Sequence, residues 1–156
     1  MFKNYLITFL VSMVPIVELR GAIPIATSLG VPITTSYVIA VIGNMVPVPF
    51  IYFFARKILN WGKDKRIIGK FCTFCMEKGE AGGKKLMSRA GLGTFIALMI
   101  FVGIPLPGTG AWTGTLAASI LNMGFKKSVI AVMLGVLMAG IIMGLISAGV
   151  LELVTG

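Results

Sequence analysis

Apolar residues fall along this chain in long runs that stop at glycine, proline or charge. Residues 5–17 form the first run, followed by Glu18-Leu19-Arg20-Gly21 and a second run at 22–29. A longer run covers 33–54 and is interrupted near its end by Pro47 and Pro49. Residues 92–102 lead into Gly103-Ile104-Pro105-Leu106-Pro107-Gly108-Thr109-Gly110, after which 111–123 are again apolar. The last run, 129–154, carries no charge until Glu152.

Length sorts these runs into two kinds. A helix over 5–17 measures about 20 Å against about 30 Å of bilayer hydrocarbon, so neither limb of the first or third segment crosses alone. The runs at 33–54 and 129–154 are long enough to cross. The order is broken hairpin, span, charged loop, broken hairpin, span. It predicts an all-α integral membrane protein, an inverted repeat of a re-entrant helical hairpin plus a transmembrane helix. Repeat one covers 1–55 and repeat two 92–156, joined by a loop at 56–91 in a single membrane domain. A weak echo accompanies the repeat: Gly21-Ala22 and Gly110-Ala111 open the two second limbs, and Ala26-Thr27-Ser28 answers Ala117-Ala118-Ser119. Interrupted segments at matching places in two halves point to a transport site. Non-helical backbone at membrane depth survives only against protein or a water-filled cavity, so the two breaks should face each other or a shared cavity.

Composition agrees with lipid as the solvent. The 156 residues are 57% hydrophobic and 12% charged, with a mean hydropathy of +0.99. A chain this short cannot bury that much apolar surface in one soluble core. The net charge of +9 changes the picture only through its location. Arg56, Lys57, Lys63, Lys65, Arg66, Lys70, Lys78, Lys84, Lys85 and Arg89 crowd into the loop, which marks it as cytoplasmic and drawn to anionic headgroups rather than to nucleic acid. With re-entrant hairpins, Lys126 and Lys127 also stay inside; four full crossings would put them outside, which the positive-inside rule disfavours. The N-terminal run resembles a signal peptide, but Glu18 and Arg20 stand where small residues should precede cleavage, so the segment is expected to remain.

The chain has no histidine. That excludes triad hydrolysis and the usual metal ligand, and no catalytic residue, metal or cofactor is expected. Cys72 and Cys75 are too few for a zinc site. With Ile67, Ile68 and Phe71 they fit one face of a short helix on the membrane surface.

Glu18 and Arg20 are the ionisable residues inside an apolar segment, and each costs about 2.5–3.5 kcal/mol at the membrane centre. Either they act on substrate and proton or they pair and pin the hairpin. Arg20 offers a fork suited to phosphate or carboxylate, and Glu18 a carboxyl able to carry a proton. Gly21 and Pro24 belong to this first candidate site. At the second break, Pro105 and Pro107 stop the helix. Gly108, Thr109 and Gly110 allow close approach to backbone amides that open the next helix, an anion-attracting terminus, with Trp112 beside them. Asn44 with Pro47 and Pro49 either lines the same cavity or kinks the span. Gly140 and Gly144 provide a small-xxx-small surface whose partner, within the chain or in a second protomer, is open.

The run Val17-Glu18-Leu19-Arg20-Gly21-Ala22-Ile23-Pro24, with Gly103-Ile104-Pro105-Leu106-Pro107-Gly108-Thr109-Gly110-Ala111-Trp112-Thr113-Gly114, resembles the family of small multidrug export proteins. The resemblance covers nearly the whole chain. That family is similar, more distantly, to the DedA superfamily, whose folds carry two oppositely oriented re-entrant hairpins. Several DedA-like proteins are linked to proton-coupled flipping of undecaprenyl phosphate or phospholipids. Glu18 and Arg20 match the family's first motif; Pro105, Pro107, Gly108, Thr109 and Trp112 match its second. DedA proteins usually carry arginines in the second hairpin, where this chain has Gly103 and Gly108.

The leading expectation is a proton-linked transporter of an amphiphilic anion, such as a polyprenyl phosphate lipid carrier, in a bacterial or archaeal cell membrane. Its partners are then membrane lipids, the substrate and a second copy of the chain. The alternatives are proton-coupled export of lipophilic cations at Glu18, and a membrane scaffold that moves nothing.

Overall fold

The computed structural model describes residues 1–64, 69, 73, 91–106 and 109–155. Most of the basic loop, Cys72 and Cys75 with the proposed surface helix, and Pro107 and Gly108 lie outside them. All regular structure among the described residues is helical. The helices are α1 (Phe2–Met13), α2 (Glu18–Ser28), α3 (Ile33–Met45), α4 (Pro47–Lys63), α5 (Gly91–Gly103), α6 (Ala111–Ile120) and α7 (Phe125–Thr155).

Two stretches are long and apolar enough to cross a membrane, Ile33–Ala55 and Phe125–Val150. The first joins α3 to α4 through Val46, which keeps helical angles of φ −58° and ψ −47°. Helix α4 begins at Pro47 because proline has no N–H to extend the ladder, so the prolines divide the span without ending it. The broken segments resolve into short helix pairs, α1 with α2 and α5 with α6. Helix α1 ends at Met13, before its apolar run does, and α2 begins at Glu18. The Asn4 amide donates to the Leu29 carbonyl at 3.0 Å and ties the start of α1 to the end of α2.

The two halves pack by the same rules. Helix α1 lies on α3 and α5 lies on α7. Each contact holds a glycine that meets the partner's backbone: a Cβ on Gly43 would stand 2.7 Å from the Phe9 carbonyl oxygen, and one on Gly135 2.7 Å from that of Met99. The turns that enter the spans are also alike. Val31 donates to Ala26 and Met123 to Ala118, both at 3.0 Å. The preceding residues, Gly30 and Asn122, take left-handed angles of φ 77° and 57°. Both are therefore Schellman caps. The Ser36 hydroxyl then donates back to the Val31 and Pro32 carbonyls, and the Ser128 hydroxyl to those of Met123 and Gly124.

A core of Leu19, Ala22 and Ile23 from α2, Ala40 from α3, Val48 from α4, Val102, Ala111 and Ala118 from the second pair, and Val132 and Val136 from α7 draws the halves together. Gly140 packs on the Tyr37 ring, so the small-residue surface of α7 is used, at this position, inside the chain.

Candidate functional site

Each break completes the other. Between Met13 and Glu18 the backbone turns through Ile16 at φ 74° and Glu18 at φ 51°. Left-handed angles cost an L-residue roughly 1–2 kcal/mol, most for a β-branched one such as Ile16. They persist only where surrounding contacts over-determine them. The contacts of Glu18 supply that constraint. Its carboxylate, 3% exposed, accepts the Ala111 amide hydrogen on Oε2 at 3.2 Å and that of Trp112 on Oε1 at 3.0 Å. These are first-turn donors of α6, so a negative charge sits where the helix terminus is positive. The anion-attracting N-terminus read from the sequence is thus occupied by the protein's own carboxylate.

Arg20 works at the opposite pole. Its Nη1 donates to the Leu106 carbonyl at 2.6 Å and to that of Thr109. Its Nη2 donates to the carbonyls of Val102 and Ile104, both at 3.2 Å, and to Thr109 Oγ1 at 2.9 Å. These carbonyls finish α5 and follow it, where a helix presents unpaired acceptors and a partial negative charge. The Trp112 indole N–H closes the arrangement by donating to the Met13 carbonyl, the last of α1, at 3.2 Å. Among the described residues Glu18 and Arg20 form no salt bridge with each other. The mutual pin is not what the geometry shows; each holds one helix end of the second break.

The remaining candidates fall around this interlock or away from it. Gly110, at φ 146° and ψ −174°, lies in a region essentially reserved for glycine, and a Cβ there would collide with the Glu18 carboxylate. Pro105 is half-buried in the second break, and the Thr109 hydroxyl reaches the Ile104 and Leu106 carbonyls at 2.8 and 2.9 Å. Gly21 packs close to Val17, and Pro24 lies within α2. Asn44 is fully buried in α3, and neither polar atom of its side chain has a hydrogen-bond partner.

A cavity of about 600 Å³ lies beside the interlock. Pro15, Ile16 and Glu18 line it from the first break, Thr109, Trp112, Thr113 and Leu116 from the second, and Phe50, Ile51, Phe54 and Ala55 from α4. Asn44 and Arg20 are not among its lining residues. The α4 contribution escaped sequence reasoning. Its signal was present: Phe50, Ile51, Phe54 and Ala55 repeat at the spacing of one helix face. Among the described residues no cluster of acids and cysteines could hold a metal ion.

Residues 18–142 match the family model described as "Putative small multi-drug export protein", a match that begins at Glu18 and takes in both breaks. The chain belongs to this family. No curated protein and no solved structure matches it. Family membership, with two apolar helices of spanning length, makes this a helical membrane protein of an export family rather than a member of an enzyme family.

Proposed function

We infer that the chain is a proton-linked exporter of small lipophilic molecules, with the cavity beside the interlocked breaks as its substrate site and Glu18 as its ionisable group. The observation that carries this reading is the placement of Glu18. Among the described residues it is the one carboxylate on a wall that is apolar apart from Thr109 and Thr113, and the same carboxylate accepts the opening amides of α6. Protonation would remove the charge that the α6 terminus stabilises and turn one acceptor oxygen into a donor facing N–H groups. The remaining carbonyl oxygen can still accept, so protonation loosens the hold on α6 without abolishing it. That weakening is a means of coupling proton uptake to movement of one break against the other.

Short helix pairs, matched caps and matched glycine contacts support the inverted-repeat reading, with each pair re-entrant and the basic loop cytoplasmic in a bacterial or archaeal membrane. A distant relation to the DedA superfamily belongs to the same reading. An anionic substrate such as a polyprenyl phosphate finds less support. The Arg20 guanidinium is already bonded to Val102, Ile104, Leu106 and Thr109, and among the described residues no lysine or arginine lines the cavity. Proteoliposomes with an imposed pH gradient test the proposal. Native protein should move a lipophilic dye and Glu18→Gln should not; equal movement by both would remove it.

A further inference from the structure

Residues that line a cavity and also stand exposed mark its mouth. Here they are Pro15 and Ile16 from the first break, Ile16 being 92% exposed, Thr113 and Leu116 from α6, and Phe50 and Phe54 from α4, 63% and 52% exposed. Both phenylalanines belong to the Ile33–Ala55 stretch, the part of the chain that crosses hydrocarbon on the reading above. On that reading the mouth, framed by the first break, α4 and α6, opens toward lipid tails rather than toward water. Behind it stands the Trp112 ring, and deeper still the buried Glu18 carboxylate. A neutral apolar molecule would be no better off inside than in the surrounding lipid, because lipid and lining are equally apolar. A cation is different: it gains the carboxylate and the aromatic faces, both in a medium of low dielectric.

We propose that the substrate is a membrane-dissolved lipophilic monovalent cation that enters sideways from the hydrocarbon, between Ile16 and the Phe50–Phe54 edge of α4, to reach Glu18. This rests on the cavity being the substrate site. It adds the charge of the substrate and the side from which it comes.

Trp112 and Trp61 are the two tryptophans of the chain, so Trp61→Phe leaves Trp112 as the sole reporter in the cavity. In vesicles of phosphatidylcholine brominated along its acyl chains, Trp112 emission should fall well below its level in unbrominated lipid. Aqueous iodide should quench it little. Tetraphenylphosphonium should then displace the brominated chains and restore emission, whereas tetraphenylborate, of the same shape and opposite charge, should not. Glu18→Gln should abolish that restoration. Iodide quenching that exceeds bromolipid quenching would overturn the lateral route. Equal restoration by both ions, or restoration that survives Glu18→Gln, would overturn the cationic substrate. Should Trp61→Phe fold poorly, the difference in emission between native protein and Trp112→Phe isolates the same signal. Dye export lost in Glu18→Gln would stand even if iodide won, so failure here and failure of the exporter reading are separable.

Discussion

Glu18 Oε1 accepts the Trp112 amide hydrogen at 3.0 Å across a sequence separation of 94 residues, while the Trp112 indole donates back to Met13 across 99. One pair of residues thus joins the end of α1 and the start of α2 to the start of α6. The two breaks of the chain meet at this contact, with Arg20 bonded beside it to the end of α5.

Arg20→Ala should destabilise the protein strongly. The carbonyls of Val102, Ile104, Leu106 and Thr109 would lose a charged donor, and hydrogen bonds to charged groups contribute about 1.5–3 kcal/mol each before non-additivity. A loss of at least about 3 kcal/mol is expected, read as a lower unfolding midpoint in detergent. Arg20→Lys should recover only part of it, because an ammonium cannot fork across several carbonyls. Ligand affinity measured on the folded fraction should be unchanged if Arg20 organises the break and does not touch substrate.

Gly110→Ala should be worse than its size implies. The new methyl both enters the Glu18 carboxylate and forces an L-residue to φ 146°, for a combined cost of roughly 2–4 kcal/mol. Gly30→Ala is the control: it too has positive φ, at 77°, but nothing lies within 4 Å of the added carbon. Its cost should be only about 1 kcal/mol, and dye export should survive. The same unfolding measurement reads both.

How legible was this from the sequence? Segment lengths and Gly/Pro positions predicted the two helical stretches of spanning length and the two short helix pairs that the structure has, because each follows from local chemistry. The roles of Glu18 and Arg20 did not follow from seeking a partner among side chains, since their partners are backbone groups with no residue type to betray them. A physical clue did exist. The second break places a helix C-terminus just before a helix N-terminus, and the first break holds one base and one acid, the charges those two ends prefer. Asn44 illustrates the reverse: its polarity and its neighbours Pro47 and Pro49 left a cavity wall and a kink equally open, and the structure buries it outside the lining of the cavity beside Glu18.

Trp112→Phe should separate the latch from the wall. Phenylalanine keeps an aromatic face in the cavity but cannot donate to the Met13 carbonyl at 3.2 Å, a loss of about 1 kcal/mol. Dye export should be reduced but measurable, and Trp112→Ala, which removes the ring as well, should lower it further.

Gly135→Leu should drive α5 from α7. Its Cβ alone would stand 2.7 Å from the Met99 carbonyl oxygen and 2.7 Å from Val102 Cβ. Gly43→Leu should do the same to α1 and α3, where the obstacle is the Phe9 carbonyl. Comparable loss of folded yield in the two variants, on size-exclusion chromatography, is the outcome expected if the halves use one packing scheme. A severe effect in one and none in the other would break the correspondence.

The central claim is that Glu18 carries the proton that drives export. It is tested most directly by pH-gradient-driven transport of a lipophilic cationic dye in proteoliposomes, comparing native protein, Glu18→Gln and Glu18→Asp at equal folded amounts. Transport is expected from the native protein, none from Glu18→Gln, and a weakened rate from Glu18→Asp, whose shorter arm draws the carboxylate away from the α6 amides. Transport by Glu18→Gln at the native rate, with the same dependence on the gradient, would contradict it.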